Sequence, residues 1–175
     1  MDFFTSDHHF YHKNIIEYCN RPYADLEEMH DDMIAKWNET VGNDDRVYCL
    51  GDFSFGNVGQ TKDILAQLNG YKILIRGNHD SNGTCKLFDE WHQNLDFHSE
   101  YFTFLLSHYP YKTDGYEDKR ELYTPTSDKF LIHGHVHNKW NFKGNMINVG
   151  VDVWDFYPIP LEYIEESYAS RGTEW

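Results

Sequence analysis

Cysteine is scarce in this 175-residue chain, and the three that occur, Cys19, Cys49 and Cys85, show no CxxC spacing. An odd number without metal-binding spacing argues against both a disulfide framework and a zinc–thiolate site. The chain also lacks an apolar run of the roughly 18 residues that a membrane span needs. No basic start precedes an apolar stretch, as in a signal peptide. These absences predict a cytoplasmic protein that does not enter a membrane.

Basic residues are also few, because 15 Lys and Arg stand against 29 Asp and Glu, for a formal net charge of −14. Sequence-independent binding of nucleic acid requires a basic face that displaces counterions, and no cluster of Lys and Arg supplies one. A small substrate, or a short part of a larger one, fits this charge better than extended nucleic acid does. Bound metal ions can still reverse the sign of the charge locally.

The length predicts a single domain over residues 1–175, and 40% hydrophobic residues supply its core. Hydrophobic periodicity in the first half predicts strands alternating with helices. The strands are Phe3–Ser6, Arg46–Leu50 and Tyr71–Arg76, and the helices run from Lys13 to Cys19, from the N-cap Asp25 onward, and from Thr61 to Leu68. The second half is mostly strand, at Leu95–Phe97, Tyr101–Ser107, Phe130–His133 and Met146–Val149, with a final helix over Leu161–Tyr168 that Pro160 would begin. Two packed sheets covered by helices satisfy this order.

Polar side chains follow five of the apolar strands at the point where each strand ends. The five segments are Phe4–His9, Cys49–Asp52, Ile75–Asp80, Leu105–His108 and Ile132–His137. Sites in open α/β sheets form where the carboxyl ends of strands converge, so these segments predict a common site. Asp7 and His9 are two residues apart, as are His135 and His137. In extended backbone the two side chains of each pair would point to the same side. Carboxylate, amide oxygen and imidazole together suit Mn²⁺, Zn²⁺ or iron.

The same segments resemble the calcineurin-like metallophosphoesterases, whose signature is D-x-H, G-D, G-N-H-[DE], a lone His and G-H-x-H. All five elements occur here in that order, from Asp7 to His137. The stretches Cys19-Asn20-Arg21-Pro22 and Asn148-Val149-Gly150-Val151-Asp152 are similar to the compact stand-alone members of bacteria and their viruses. The resemblance implies a four-layer α/β/β/α fold, in which two mixed sheets are flanked by helices, with no cap domain.

The resemblance also implies a centre of two divalent metal ions, with Mn²⁺ as the first expectation and Zn²⁺, iron, Ni²⁺ or Mg²⁺ as alternatives. Asp7, His9 and His137 would hold the first ion, Asn78, His108 and His135 the second, and Asp52 would bridge them. A metal-bridging hydroxide would attack phosphorus. Asn78 would help to stabilise the phosphoryl oxygens, and His79 would protonate the leaving oxygen.

The sequence departs from the phosphoprotein phosphatases of this superfamily after the bridging carboxylate. Those enzymes carry an Asp that orients the His acid and then an Arg that grips phosphate, whereas Phe55 and Gly56 stand here. The departure leaves open what orients His79, for which Asp80 is one candidate. It also favours phosphodiesters somewhat over monoesters as substrates.

Several other residues could have either a functional or a structural role. Arg21 and His12 follow the first strand closely enough to reach the site mouth, where either could contact phosphate. We interpret His133 as a hydrogen-bonded strand residue and His8 as structural or solvent-facing. The polar segment 111–128 is an insertion between two ligand-bearing strands, and it fits either a substrate-selecting loop or a solvated one.

The leading prediction is therefore a two-metal hydrolase of a small phosphorylated substrate, with a nucleotide among the candidates, acting as a monomer or small homo-oligomer. One alternative is a non-catalytic, metal-binding scaffold for partner proteins on the same fold. Another is a nuclease, against which the acidic composition argues.

Overall fold

Two five-stranded sheets form the centre of the molecule. The computed structural model describes residues 1–113 and 125–171. The first sheet contains β1 (Asp2–Thr5), β2 (Arg46–Cys49), β3 (Tyr71–Ile75), β4 (Glu90–His92) and β10 (Ile159–Pro160), in the order β10-β1-β2-β3-β4. The second contains β5 (Asn94–His98), β6 (Thr103–Ser107), β7 (Phe130–His133), β8 (Phe142–Lys143) and β9 (Met146–Asn148), in the order β5-β6-β7-β9-β8. Both sheets mix parallel and antiparallel pairs, so the predicted α/β architecture of two mixed sheets is confirmed.

Five α-helices and a 3₁₀ helix (Val151–Val153) accompany the sheets in the described residues. The α-helices are α1 (Ile15–Tyr18), α2 (Leu26–Thr40), α3 (Val58–Leu65), α4 (Asn82–Cys85) and α5 (Leu161–Arg171). None of them is long and apolar enough to span a membrane.

The start of α2 shows why this stretch becomes a helix. The Asp25 side chain caps it by accepting a hydrogen bond from the Glu28 backbone N–H at 3.0 Å, as the sequence predicted. The Glu28 carboxylate bonds instead to the backbone N–H of Ala24 at 2.7 Å, one residue before the position that a capping box uses. The buried face of the helix carries Met29, Met33 and Trp37, which follow the helical period of its apolar residues.

Neighbouring residues of β1 belong to two different parts of the core, because successive side chains of a strand face opposite sides of the sheet. Phe3 packs with the residues of α2 and α3 on one side of the first sheet. Phe4 packs between the two sheets, where Leu106 and Ile132 meet it from the second sheet. Removing one such side chain from water contributes roughly 1.5–3 kcal/mol, so both faces of the first sheet stabilise the fold.

The short elements α4, β4, β8 and β10, which contain only two to four residues each, were not predicted from the sequence. Pro160 was expected to begin the last helix, but it lies in β10 opposite Phe3, and α5 starts at Leu161. A hairpin turn joins β8 and β9, and Gly144 in this turn takes a φ of 55°. That left-handed conformation favours glycine.

The loops after β1 and β2 run side by side beyond the end of the first sheet. The backbone N–H of Asp7 donates to the Gly51 carbonyl at 3.0 Å, and that of His9 donates to the Asp52 carbonyl at 3.1 Å. The second sheet is linked in the same way, because Gly134 donates to the His108 carbonyl at 3.1 Å. The backbone N–H of His135 in the second sheet's loop donates to Asp7 Oδ2 in the first sheet's loop at 2.8 Å, so the carboxyl ends of strands from both sheets meet at one edge of the sandwich.

Candidate metal centre

Five of the seven predicted ligands have a left-handed backbone. Their φ values are 58° at Asp7, 54° at His9, 52° at Asp52, 72° at His135 and 51° at His137. Such a conformation costs roughly 1–3 kcal/mol at a non-glycine residue and persists where the surrounding structure enforces it, often at functional sites. The extended backbone predicted for the D-x-H and H-x-H pairs is wrong. The side chains converge through tight turns after the strands.

The first group of candidate ligands contains Asp7, His9 and His137, whose ligand atoms lie within 4.8 Å of one another. The Asp7 Oδ1 atom is 3.9 Å from His9 Nε2 and 3.9 Å from His137 Nε2. Asp7 and His9 are buried. The geometry leaves room for one cation among two imidazoles and a carboxylate.

The second group contains Asp52, His108 and His135, again with ligand atoms within 4.8 Å. The His108 Nε2 atom is 3.5 Å from Asp52 Oδ2 and 3.2 Å from His135 Nδ1. Asn78 joins this group, because its Oδ1 atom lies 3.2 Å from the same His108 nitrogen. His108 Nδ1 is 2.6 Å from the Leu50 carbonyl, which leaves Nε2 to face the group.

Asp52 lies between the two groups. Its Oδ2 atom is 3.8 Å from His9 Nε2 of the first group and 3.5 Å from His108 Nε2 of the second. Its other oxygen, Oδ1, accepts a hydrogen bond from the backbone N–H of His79 at 2.9 Å. One carboxylate oxygen of Asp52 is thus directed at both ligand groups. The other accepts a hydrogen bond from the loop after β3, which carries His79.

Two buried ligand atoms, Asp7 Oδ1 and His9 Nε2, have no hydrogen-bond partner among the residues that the structure describes. Buried polar atoms are nearly always hydrogen-bonded, because an unsatisfied one costs free energy. A divalent cation would satisfy both atoms at once, and oxygen with imidazole nitrogen is a donor set that such ions accept. The residues therefore fit a metal centre.

The electrostatics of the centre are dominated by buried acids facing imidazoles. Burial raises the pKa of the Asp52 carboxyl, but the charge and hydrogen bond of His108 outweigh it and lower that pKa to about 2. Burial lowers the pKa of His108, yet Asp52 raises it to about 9. The metal-free pair is therefore charged at neutral pH, and a metal ion must displace a proton from His108 to bind its nitrogen.

Asp80 connects the two loops that carry Asp52 and Asn78. Its Oδ2 atom accepts from the backbone N–H groups of Asp52 and Gly77, both at 2.8 Å, and its Oδ1 atom accepts from Phe53 at 3.1 Å. Both oxygens of the Asp80 carboxylate therefore accept hydrogen bonds from backbone N–H groups. These bonds do not support Asp80 as the residue that orients the imidazole of His79.

Glycine is required where these two loops cross. A Cβ atom built on Gly51 would lie 2.6 Å from the Gly77 Cα atom and 2.6 Å from His108 Nδ1, and the φ of Gly51 is 90°. Real Cβ atoms do not approach so closely. The G-D and G-N-H motifs thus bring two backbones together at a distance that a larger residue would not allow.

His79 stands at the open side of the centre, with its side chain 44% exposed and its Nε2 atom 3.9 Å from Asp52 Oδ2. Phe55 packs against it at 4.5 Å between ring centroids and stacks on His12 at 4.0 Å. The position that holds an Asp in the protein phosphatases is thus filled by an aromatic ring. His12 also lies 3.3 Å from His9, between the two Nδ1 atoms.

A cavity of about 490 Å³ opens at this place. Imidazoles and apolar side chains line it, among them His9, His12, His79, His135, His137, Ile15, Tyr18, Phe55 and Val136. The predicted position of His12 near the site mouth agrees with this lining, and its contact with substrate stays a prediction.

Arg21 was predicted to reach the site mouth, but its side chain does not line the cavity. Its side chain is fully buried beside Asp152, with the two oxygens of that carboxylate at 2.8 and 3.0 Å. Its remaining N–H groups are directed at the carbonyls of Asp7 and His8, both at 2.7 Å, and at the Met29 sulfur. All five donors of the guanidinium are used, so none is left for a phosphate.

The two histidines interpreted as structural are buried. His8 packs among Phe10, Trp37 and Phe53, and burial lowers its pKa to about 3. His133 has its Nδ1 atom 2.7 Å from the Gly134 carbonyl, and burial lowers its pKa to about 4. Both interpretations agree with the structure.

Two further features lie around the centre. Arg76, directly after β3, donates from Nε to the Asp80 carbonyl at 3.0 Å. In the insertion 111–128, the Tyr111 hydroxyl donates to the Lys129 carbonyl at 3.0 Å, but residues 114–124 lie outside the described part of the chain. The role of this insertion stays a prediction.

The fold and the two ligand groups define the class: a two-sheet α/β sandwich with a candidate dinuclear metal centre at its strand ends. Residues 4–153 match the sequence profile of the calcineurin-like phosphoesterase superfamily domain. The chain therefore belongs to this metal-dependent family.

Proteins similar to this chain occur in an archaeon, a bacteriophage and a bacterium. An uncharacterized protein of Methanocaldococcus jannaschii is 36% identical, covering 93% of this chain and 88% of that protein. The gene 66 protein of Mycobacterium phage L5 is 34% identical and covers 86% of each. A crystal structure of a protein of unknown function from Aquifex aeolicus aligns with a TM-score of 0.74 at 31% identity, covering 95% of this chain and 98% of that one.

Proposed function

We propose that this chain hydrolyses phosphate esters with two divalent metal ions and that it somewhat prefers phosphodiesters to monoesters. The observation that carries the proposal is the position of Asp52. One of its oxygens lies within 4 Å of a ligand nitrogen from each group, His9 at 3.8 Å and His108 at 3.5 Å. Two-metal esterases act on a phosphoryl group between two closely spaced ions, and a shared carboxylate is the ligand that such a pair needs.

The proposed ligands divide into two sets with Asp52 in common. Asp7, His9 and His137 would hold the first ion, and Asn78, His108 and His135 the second. Two divalent ions, when bound, supply a water of lowered pKa and positive charge for the phosphoryl oxygens. Mn²⁺ is the first metal to test, and Zn²⁺, iron, Ni²⁺ and Mg²⁺ are the alternatives, because oxygen and imidazole ligands suit all of them.

His79 is the proposed general acid. Its ring is 44% exposed and lines the cavity beside the two groups, so it can reach the leaving oxygen of an ester bound there. Its backbone N–H is held by Asp52, and Phe55 restricts its ring by packing. Proton donation by a positioned imidazole typically contributes about 10²- to 10⁴-fold in rate.

The cavity supports a substrate of small-molecule size. Its volume of about 490 Å³ falls in the range of small-molecule sites. Ile15, Tyr18, Phe55 and Val136 give part of the lining an apolar character, which suits the organic part of an ester such as a nucleotide. The net charge of −14 disfavours a long polyanion.

A cytoplasmic location is part of the proposal. Cys19, Cys49 and Cys85 are all thiols in the structure, and proteins with unpaired cysteines are typical of a reducing compartment.

The test is hydrolysis of p-nitrophenyl phosphate and bis-p-nitrophenyl phosphate by protein loaded with Mn²⁺, followed by a panel of nucleotides and cyclic nucleotides. We expect turnover of both model esters, with the higher kcat/KM for the diester. Asp52→Asn should abolish it. Arg46→Ala, which removes a surface ion pair with Asp2, is the matched control and should keep it.

Absence of turnover across the whole panel, in protein that binds the metal, would contradict the proposal. Capture of a partner protein by this inert, metal-loaded chain would instead favour a scaffold. Cleavage of single-stranded oligonucleotides that weakens steeply with salt would favour a nuclease.

A further inference from the structure

A buried ion pair lies directly behind the first ligand group. The Arg21 guanidinium donates from Nε and one terminal nitrogen to the two oxygens of Asp152, at 2.8 and 3.0 Å. The exposed fraction of these side chains is 0% for Arg21 and 2% for Asp152. Breaking a buried pair of this kind leaves an uncompensated charge, so the two side chains hold each other in place.

His137 stands between this pair and the proposed first metal. Its Nε2 atom faces Asp7 Oδ1 at 3.9 Å. Its Nδ1 atom faces the other way, 3.2 Å from Cys19 Sγ and 3.7 Å from Asp152 Oδ2. A histidine that binds metal through Nε2 must carry its proton on Nδ1. The Cys19 thiol is at hydrogen-bond distance but is a weak acceptor, and the Asp152 carboxylate at 3.7 Å lies beyond that distance. Asp152 can therefore orient this N–H through its charge.

Cys19, His137 and Asp152 are themselves close enough to hold a metal ion, but two features argue against a separate site. Both oxygens of Asp152 already accept hydrogen bonds from Arg21, so a cation bound there would lie against a guanidinium group. His137 also has one nitrogen to offer a metal, and Nε2 is the one that faces Asp7. The cluster therefore supports the centre from outside.

Arg21 also holds the turn that carries the other two ligands of the first group. One terminal nitrogen donates to the His8 carbonyl and the other to the Asp7 carbonyl, both at 2.7 Å. The φ values of Asp7 and His9 in this turn are 58° and 54°. External hydrogen bonds of this kind are what keep a left-handed turn in place.

We propose that Arg21 and Asp152 are positioning residues for the first metal site: Asp152 orients His137, and Arg21 fixes both Asp152 and the Asp7–His9 turn. The inference rests on the proposed two-metal function. It predicts that the two sites differ in their dependence on this pair, because the contacts of Arg21 and Asp152 lie on the side of Asp7, His8 and His137.

The experiment is titration of the metal-free full chain with Mn²⁺ alone, followed by calorimetry and by electron paramagnetic resonance. Wild-type protein should bind two ions and give the spectrum of a coupled pair. Asp152→Asn keeps the size of the side chain but removes its charge, and it should weaken one of the two ions by about 10- to 100-fold. The other ion should bind as before and give the spectrum of an isolated ion.

Three further variants make the result specific. Arg21→Lys should weaken the same ion, since an ammonium lacks the fork that spans a carboxylate. Arg46→Ala removes a bidentate but solvent-exposed pair with Asp2 at the far end of β1 and β2 and should bind both ions normally. Cys19→Ala should also bind both, because the thiol that it removes is only a weak acceptor for the His137 Nδ1 proton.

Other outcomes overturn the inference in distinct ways. Two ions bound with unchanged affinity by Asp152→Asn would mean that the pair is merely structural. Loss of one ion in Cys19→Ala but not in Asp152→Asn would transfer the orienting role to the thiol. If wild-type protein binds no Mn²⁺ at all, the proposed metal centre fails and this inference with it.

Discussion

Replacing Asp80 with Ala should substantially lower the free energy of unfolding of the protein. The Asp80 side chain is buried and accepts three hydrogen bonds from backbone N–H groups, those of Asp52, Phe53 and Gly77. The change would leave all three donors without an acceptor at the crossing of two loops. The loop that carries the bridging carboxylate would then be held by fewer contacts.

The magnitude follows from the number of bonds. Hydrogen bonds to a charged group contribute roughly 1.5–3 kcal/mol each. Burial raises the pKa of Asp80, and the nearby charge of Asp52 raises it further, so desolvation and repulsion offset part of this gain. We expect a net loss of roughly 3–5 kcal/mol. Asp80→Asn can keep the two bonds to Asp52 and Gly77 and should lose roughly 1–2 kcal/mol.

The assay is urea unfolding of metal-free protein, because bound metal would add its own stabilisation. The matched control is Asp89→Ala, whose carboxylate also accepts from a backbone N–H, that of Lys72 at 2.8 Å, but is exposed. It should lose less than about 1 kcal/mol. Equal losses in Asp80→Ala and Asp89→Ala would refute the reasoning, since burial would then make no difference.

Three further predictions concern the acid, the pH dependence and the loop crossing. His79→Gln should lower kcat by about 10²- to 10⁴-fold with unchanged Mn²⁺ affinity, and steady-state kinetics with calorimetry check this; an unchanged kcat would remove His79 from its role. Burial lowers the pKa of His8 to about 3, so as the pH falls the unfolded chain binds a proton at this residue before the folded protein does. The free energy of unfolding should therefore decrease below about pH 6.5, by about 2 kcal/mol near pH 5. His8→Phe should flatten this slope in urea unfolding at several pH values, and an unaltered slope would contradict the assignment. Gly51→Ala should cost both stability and metal affinity, because its Cβ would meet the Gly77 backbone at 2.6 Å, and normal Mn²⁺ binding by this variant would count against the close approach.

The longer elements of the fold could be predicted from the sequence alone. The strands β2, β3 and β7 and the helix α2 are marked by apolar residues at the period of their own structure. The three strands occur within one residue of their predicted bounds, and α2 begins directly after its predicted N-cap. The elements that were missed depend on partners far along the chain. Ile159 and Pro160 form a strand only because Phe3 and Phe4 lie beside them, and two residues carry no period.

The candidate site divides in the same way. The sequence by itself determined which side chains to consider, because a strand that ends in a carboxylate or an imidazole can be recognised locally. Only the tertiary structure decided what Arg21 does, since its partner Asp152 is 131 residues away and spacing carries no information about such a pair. The left-handed turns at Asp7 and His9 were likewise beyond the sequence, because the hydrogen bonds that hold them come from elsewhere in the fold.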